Sequence, residues 1–219
     1  MRTKEEQLKR PFTADEIEWR VQQSGDKNGK IWAMVLAYVT NRAIMDRLDE
    51  VFGIAGWKNE FVPTPSMDGV MCGISADFKG EWVTKYDGAA NTEIESVKGG
   101  LSSSMKRTAV QFGIGRYLYK IESNFANVQE NRVTGSKSAK TKSNVLFHWL
   151  PPELPPFALP IMEAQQKEIK KIAKETETDL LEVLKFYNYQ ELSNVTQEKA
   201  TEMLLMLKKK QSKQNEINN

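Results

Sequence analysis

The strongest constraint on the fold is a change of hydrophobic period along the middle of the chain. Three segments, 57–62, 70–78 and 81–86, alternate apolar and polar residues and are separated by short turn sequences, which predicts an antiparallel meander. The residues that share the apolar face of the middle segment are Val70, Cys72, Ile74, Ala76 and Phe78. A sheet with one apolar face needs a second layer, so we expect a helix packed over it.

The segment 94–113 has the length and the hydrophobic period of such a covering helix. At about 100° per residue its apolar residues fall on one stripe. They are Ile94, Val97, Leu101, Met105 and Phe112, with Thr108 among them. Lys106 and Arg107 flank the opposite side, with small residues between them. We therefore expect a helix that carries two cations on an uncrowded surface, which suits contact with a nucleic-acid backbone.

The N-terminal part of the chain is predicted to contain two helices and one strand. Thr13 and the glutamate three residues later have the spacing of a capping box, which predicts a helix over 13–25. A polar turn at 26–30 follows. The apolar run 31–39 favours a buried strand, with a helix as the alternative. Apolar spacing over 41–52 predicts a second helix, ended by a glycine.

The composition changes after residue 121, where the chain becomes polar and then rich in proline. Beyond it, three short helices are predicted, with Thr178 and Thr196 as N-caps. The fold class is therefore α+β: an antiparallel β-meander of three to four strands covered by a long amphipathic helix, plus a small C-terminal helical module. The expected parts are a core (1–123), a polar and Pro-rich linker (124–159), the helical module (160–210) and a disordered tail (211–219).

The composition as a whole excludes several classes of protein. Lys and Arg total 31 against 29 Asp and Glu, a formal net charge of +2, so any nucleic-acid site must be a local patch. Cys72 is the only cysteine, which excludes an intrachain disulfide and multi-cysteine metal sites. The chain has no apolar run of about 18 residues and no apolar N-terminal stretch. We expect a soluble cytoplasmic protein that does not bind membranes.

The sequence gives little support to covalent chemistry. The glycines at 25–30 lack the spacing of a phosphate-cradling loop, so neither ATP nor another cofactor is expected. His148, the only histidine, is favoured as a structural residue. Asp77, Asp87 and Glu93 lie around the meander and would suit a Mg²⁺-dependent nuclease, although solvated charges are also usual on strand edges and turns. We expect no enzymatic activity and keep the nuclease as an alternative.

The basic residues of the segment 94–113 have both a structural and a functional interpretation. Adjacent cations near the end of a helix offset its dipole and remain solvated. Nucleic-acid binding is favoured if other cations converge on Lys106 and Arg107. The candidates are Arg20, Lys98, Arg116 and Lys120. The aromatic residues Trp32, Tyr38, Trp82 and Tyr86 can stack on bases, although core packing is their more usual role.

Four segments of the chain occur in a recognisable order. They are Ile17-Glu-Trp-Arg20, the segment 47–57 with its Phe-Gly-x-x-Gly-Trp element, the meander, and the segment 105–113 with Lys-Arg followed by Phe-Gly. Together they resemble the Rad52 superfamily of single-strand annealing proteins, as a phage or prophage member. The resemblance covers about residues 15–121, roughly half of the chain, and is carried by the order and separation of the segments.

This resemblance implies a β-β-β-α core that assembles into a ring or helical filament, with one DNA strand in a groove around the oligomer. It implies that Lys106 and Arg107 hold phosphates at the bottom of the groove, that Arg20 assists from the first helix, and that Lys98 lies one helical face away. The implied function is ATP-independent binding of single-stranded DNA and annealing of complementary strands in recombination and repair.

The chain departs from the family pattern in two places. Members often carry an Arg three residues after the Lys-Arg pair, where this chain has Val110, and Arg116 is the candidate replacement. The family's outer DNA site is not recognisable around Asp68 and Gly69. The segment 161–210 resembles small helical modules of phage recombination proteins, which implies docking of a phage exonuclease or a host single-strand-binding protein. A protein that only protects single strands is the other alternative.

Overall fold

The computed structural model describes residues 3–65, 68–90, 96–121 and 124–218. Over these ranges the fold is mixed α+β, with antiparallel sheets of three strands and helices at the C-terminal end. The helices are α1 (Lys4–Lys9), α2 (Asn41–Phe52), α3 (Ser96–Gln111), α4 (Glu163–Glu175), α5 (Leu180–Phe186) and α6 (Gln197–Asn218). The strands are β1 (Ile17–Lys27), β2 (Lys30–Val39), β3 (Trp57–Pro63), β4 (Gly69–Phe78), β5 (Glu81–Ala90), β6 (Asn124–Phe125), β7 (Asn127–Gln129), β8 (Lys137–Lys140) and β9 (Leu146–Leu150).

The predicted meander is present as the antiparallel sheet β3-β4-β5. Helix α3 packs on β4 and β5, so the expectation of a covering helix is confirmed for the described residues 96–111. Ile94 lies outside the described residues. The core between the two layers includes Cys72, Ile74, Met105 and Ala109, each at most 2% exposed. Burial raises the pKa of the Cys72 thiol to about 11, which fits an inert core residue.

The helix predicted over 13–25 is wrong. The capping box of Thr13 and Glu16 is present, but it starts only a single 3₁₀ turn at Ala14–Glu16, and strand β1 follows. Apolar and polar residues alternate from Ile17 onward, and β1 pairs with β2 along its whole length. A local capping signal is worth about 1 kcal/mol, which is small against the pairing of an eleven-residue strand and the burial of its apolar face.

The hairpin β1-β2 closes through the polar turn that the sequence predicts. Asn28 and Gly29 adopt φ values of 57° and 74°, the left-handed conformations of the two-residue hairpin turn that Asn-Gly favours. The register shifts by one residue between Val21 and Gln23, which leaves Gln22 as a β-bulge. The strand predicted over 31–39 is confirmed, and its helical alternative is excluded.

Helix α2 forms where the sequence predicts it and anchors the N-terminal segment. Its end at Gly53, with φ of 75°, is the predicted glycine stop. Arg47 of α2 is only 3% exposed. Its Nη1 donates to the carbonyl oxygens of Gln7 (3.2 Å) and Arg10 (2.7 Å), and its guanidinium lies 4.1 Å from the centroid of the Phe12 ring. This one side chain therefore ties α1 and the following loop to the core.

The segment 124–159, predicted as a linker, contains strands β6 to β9. Strand β9 lies between β7 and β8 in a small antiparallel sheet. Phe147 and Trp149 of β9 are 3% and 2% exposed and pack against Trp19 of β1. The burial of these rings against a distant strand orders a segment whose composition alone favours a linker. His148 bonds Ser138 Oγ through Nδ1 (2.9 Å), a contact that fits a structural residue.

The C-terminal helices α4, α5 and α6 pack around a separate apolar cluster. Thr196 caps α6 by accepting from the Lys199 amide (3.3 Å), as predicted, whereas Asp179 and not Thr178 caps α5, through the Leu181 amide (2.8 Å). Helix α6 continues to Asn218, so the tail predicted to be disordered is helical through that residue. None of the helices in the described ranges is long and apolar enough to cross a membrane.

Candidate nucleic-acid interface

Lys106 lies where helix α3 passes the β1-β2 hairpin. Because its neighbours Met105 and Ala109 are buried against the meander, the Lys106 side chain leaves the helix at the margin of the buried face. Its ammonium lies 4.4 Å from the centroid of the Tyr38 ring on β2. Tyr38 pairs directly across the hairpin with Glu18 of β1, and its hydroxyl donates to Glu18 Oε2 (2.5 Å).

Arg20 completes a polar group that we call the Lys106 cluster (Glu18, Arg20, Tyr38 and Lys106). Arg20 follows Glu18 by two positions on the same exposed face of β1. Burial and the nearby charge of Arg20 lower the pKa of Lys106, while Glu18 acts in the opposite direction. Burial and the bond to Glu18 raise the pKa of Tyr38 to about 12. The charges of Arg20 and Lys106 therefore interact, and Lys106 forms no ion pair with any residue of the described ranges.

Arg107 projects from α3 toward strand β5, on a different side from Lys106. Its Nε lies 2.9 Å from Oδ1 of Asp87, with side-chain exposures of 55% for Arg107 and 25% for Asp87. The same Asp87 oxygen accepts the Gly88 amide (2.8 Å). The Lys-Arg pair therefore brackets the exposed side of the helix, with one cation at the β1-β2 hairpin and the other at the meander.

Arg116 and Lys98 are not brought into the Lys106 cluster. Arg116 donates from Nε to the Val110 carbonyl (2.8 Å) and from Nη2 to the Gln111 carbonyl (2.7 Å). These are carbonyls at the end of α3 that lack partners within the helix, so the Arg116 side chain caps the helix. Lys98 is exposed near the start of α3, about 12 Å along the helix axis from Lys106.

The chain matches one family model over residues 1–70 and 67–137. The family is described as Rad52/22 family double-strand break repair protein. These ranges contain more than half of the chain and all four residues of the Lys106 cluster. The chain belongs to this family. No solved structure matches it.

Two relatives of this Rad52/22 family chain are named single-stranded DNA-binding protein DdrA. The protein of Deinococcus radiodurans is 31% identical over 162 residues, which are 71% of this chain and 67% of the relative. The protein of Deinococcus deserti is 32% identical over 123 residues, 53% of this chain and 57% of the relative. The chain therefore spans between half and about two thirds of the lengths of these relatives.

The prediction that Arg20 lies in a helix is wrong, because Arg20 lies on strand β1. The charge of Arg20, together with burial, lowers the pKa of Lys106, and the role of Arg20 in DNA binding stays a prediction. Glu18 was not recognised from the sequence, although the Asn-Gly turn at 28–29 was a signal for a hairpin that places it near Tyr38. The bulge at Gln22, which sets that pairing, has no comparable sequence signal.

The carboxylates of the nuclease alternative have structural partners instead. Asp77 Oδ1 accepts the Gly80 amide (2.6 Å) in the β4-β5 turn, and Asp87 pairs with Arg107. Glu93 lies outside the described residues. The part of the chain that the structure describes has no group of three His, Cys, Asp or Glu side chains placed to hold a metal ion.

Proposed function

We propose that this protein binds single-stranded DNA along the surface formed by α3 and the β1-β2 hairpin, and that it anneals complementary strands without ATP. The observation that carries the proposal is the position of Lys106, whose ammonium lies 4.4 Å from the centroid of the Tyr38 ring on the β1-β2 hairpin, where Arg20 lies on the exposed face of β1. A half-buried ammonium beside a second cation is unfavourable in the free protein, and a phosphate placed between them would remove that penalty. Membership of a double-strand break repair family and the names of the two relatives support the same ligand.

Contacts of this kind fix a strand without reading its sequence. Phosphate contacts supply position and affinity, whereas base discrimination requires donors and acceptors aimed at base edges. The side of α3 between the two cations carries the small residues Gly99 and Ser103, both half-buried. We therefore infer that bases remain free to pair with a second strand, which is the condition for annealing.

Oligomerisation belongs to the proposal because each subunit offers few cations. A surface that neutralises two or three phosphates binds weakly, and useful affinity requires several linked subunits on one strand. We propose a ring or helical filament, in which β3-β4-β5 and α3 are the counterpart of the family's β-β-β-α core. Lys106, Arg20 and Arg107 are the proposed phosphate ligands. Lys98 is proposed to extend the track, and the structure gives Arg116 a helix-capping contact instead.

The C-terminal helices are proposed as a docking module. Their core contains no residue of the Lys106 cluster, and Leu181 and Phe186 of α5 are 62% and 76% exposed. Exposed apolar side chains of this size suit a protein contact. A phage exonuclease or a host single-strand-binding protein is the proposed partner class. Pull-down of each purified candidate by the wild type, compared with a Phe186→Ser variant, tests this part separately.

The annealing of two complementary fluorescent oligonucleotides, with no nucleotide triphosphate present, tests the proposed function. We expect binding to single strands of any composition, faster pairing than without protein, and particles larger than one subunit by mass photometry. Binding without faster pairing would instead favour the protector alternative, which the relatives' names also fit. Shortened labelled DNA in the presence of Mg²⁺ would favour the nuclease.

A further inference from the structure

We propose that Asp87 and Glu18 are internal counter-anions of the DNA-binding surface. Asp87 pairs with Arg107 in the free protein, Glu18 lies with Arg20 on the exposed face of β1, and the phosphates of a bound strand replace both carboxylates as the balancing negative charge. This inference rests on the proposed function. It assigns to the two carboxylates a role in setting how tightly, and how reversibly, each subunit holds single-stranded DNA.

The geometry of the Asp87–Arg107 pair allows a phosphate to replace the Asp87 carboxylate at Arg107. Asp87 is held in place on β5 by the Gly88 amide (2.8 Å) and is mostly buried, while Arg107 is 55% exposed and engages it through Nε at 2.9 Å. A guanidinium has five N–H donors, so Arg107 retains donors that can meet a phosphate. An ion pair this exposed is weak. A phosphate can therefore replace the carboxylate without a large change in the fold.

Glu18 has the corresponding position in the Lys106 cluster. Its Oε2 accepts the Tyr38 hydroxyl (2.5 Å). This bond holds the Glu18 carboxylate at the edge of the same Tyr38 ring that the Lys106 ammonium contacts. Its charge partly offsets the mutual repulsion of Lys106 and Arg20. Two carboxylates, Glu18 and Asp87, therefore accompany the three proposed phosphate ligands, and the net charge of these five side chains in the free protein is only +1 (three cations and two anions).

A near-neutral surface fits the demands of annealing. A strand bound only by unopposed cations would leave slowly, and the newly paired duplex would stay on the protein. Carboxylates already placed beside the cations recapture them as each phosphate departs, so release does not leave bare positive charges. The simpler interpretation is that Asp87 only ties α3 to β5. The two interpretations differ in what removal of the negative charge does to DNA binding.

The test uses the amide variants Asp87→Asn and Glu18→Gln in the full chain. Each amide keeps an oxygen that can accept the Arg107 or Tyr38 hydrogen bond and removes the charge. We expect each variant to bind a fluorescent 30-nucleotide strand about two- to fivefold more tightly per subunit, the factor of an exposed ion pair. The slope of log affinity against log salt should steepen by about 0.7 per subunit contacted. Pairing of complementary strands should release duplex more slowly.

Glu163→Gln is the control for net charge, because Glu163 forms an ion pair with Lys167 (2.6 Å) on helix α4, outside the proposed surface. It changes the net charge by the same amount and should leave binding unchanged. A purely structural tie predicts a lower melting temperature for Asp87→Asn with unchanged or weaker DNA binding, and that result overturns the inference. If Asp87→Asn does not fold, Glu18→Gln decides alone. If the wild type binds no single-stranded DNA, the proposed function itself is wrong, which is a different outcome from failure of the inference about the two carboxylates.

Discussion

Replacement of Lys106 by alanine is the most direct test of the proposed DNA surface. In the free protein, the change removes an ammonium that lies 4.4 Å from the Tyr38 ring and has no carboxylate partner in the described ranges. The lost cation–π contact is worth about 0.5–1 kcal/mol. Relief of the burial penalty and of the repulsion from Arg20 offsets part of this loss. We therefore expect the free energy of unfolding to change by less than about 1 kcal/mol.

The effect on DNA binding should be larger. A phosphate about 4 Å from the ammonium is attracted by about 1 kcal/mol in water and about 4 kcal/mol at an effective dielectric constant of 20. A half-buried site lies between these limits, so we expect a loss of about 2 kcal/mol, or roughly 30-fold in affinity, for each subunit engaged. The salt dependence of binding should weaken by about 0.7 per subunit, the value for one phosphate contact on a single strand.

Fluorescence anisotropy over a series of salt concentrations measures both quantities. Strands of different composition should lose affinity by the same factor, because a phosphate contact carries no base information. Lys167→Ala is the control, since Lys167 is an exposed lysine on α4 paired with Glu163. If Lys106→Ala remains folded and oligomeric yet binds like the wild type with the same salt slope, Lys106 is not a phosphate ligand and the proposed surface is wrong.

Three further predictions concern Lys106, the buried Arg47 and the core residue Ile74. Because burial and Arg20 lower the pKa of Lys106 below 10.5, affinity for an adenine-only strand should fall as the pH rises toward the lowered pKa of Lys106, and Lys106→Arg should abolish this fall. Over the same pH range the free wild type should gain stability, since deprotonation of Lys106 relieves the burial penalty. Arg47→Ala should lower the free energy of unfolding by about 2–3 kcal/mol, through lost carbonyl contacts and packing, whereas the exposed Arg42→Ala should change it by under about 0.5 kcal/mol; urea denaturation measures both. Ile74 of β4 is fully buried in the core beneath α3. Ile74→Ala should therefore lower the free energy of unfolding by about 3 kcal/mol in the same assay, and an unchanged denaturation midpoint would contradict the core described above.

The meander and its covering helix could be predicted because their signals are local. Alternation over 70–78 puts Cys72 and Ile74 on one face whatever the rest of the chain does, and a short turn sequence connects this segment to the next strand. The helix at 96–111 follows from its own apolar stripe. The α2 stop at Gly53 is equally local, because glycine accepts a positive φ without strain.

The elements that sequence reasoning missed depend on distant partners. Residues 17–25 carry a genuine capping box, yet they pair with β2, and this pairing outweighs a single cap. Strand β9 lies in a polar, proline-rich stretch, and its order comes from the contact of Trp149 with Trp19 across the fold. The four parts proposed from composition remain a prediction, and strands β6 to β9 lie within the segment at 124–159.

The position of the Lys106 cluster depends on one unpaired residue. If the hairpin continued in register from the Asn28–Gly29 turn, Glu18 and Arg20 would lie opposite Val39 and Ala37, and their charges would share the buried face of β2. The bulge at Gln22 shifts the pairing so that Ile17 faces Val39 and Glu18 faces Tyr38. The apolar residues Ile17 and Trp19 of β1 are then buried, while Glu18 and Arg20 lie on the exposed face. A motif search can find Lys106 and Arg107 on their helix. Which charged residues of β1 lie on the exposed face of the hairpin, where Lys106 contacts Tyr38, is decided by this register, and the register depends on the packing of the whole hairpin.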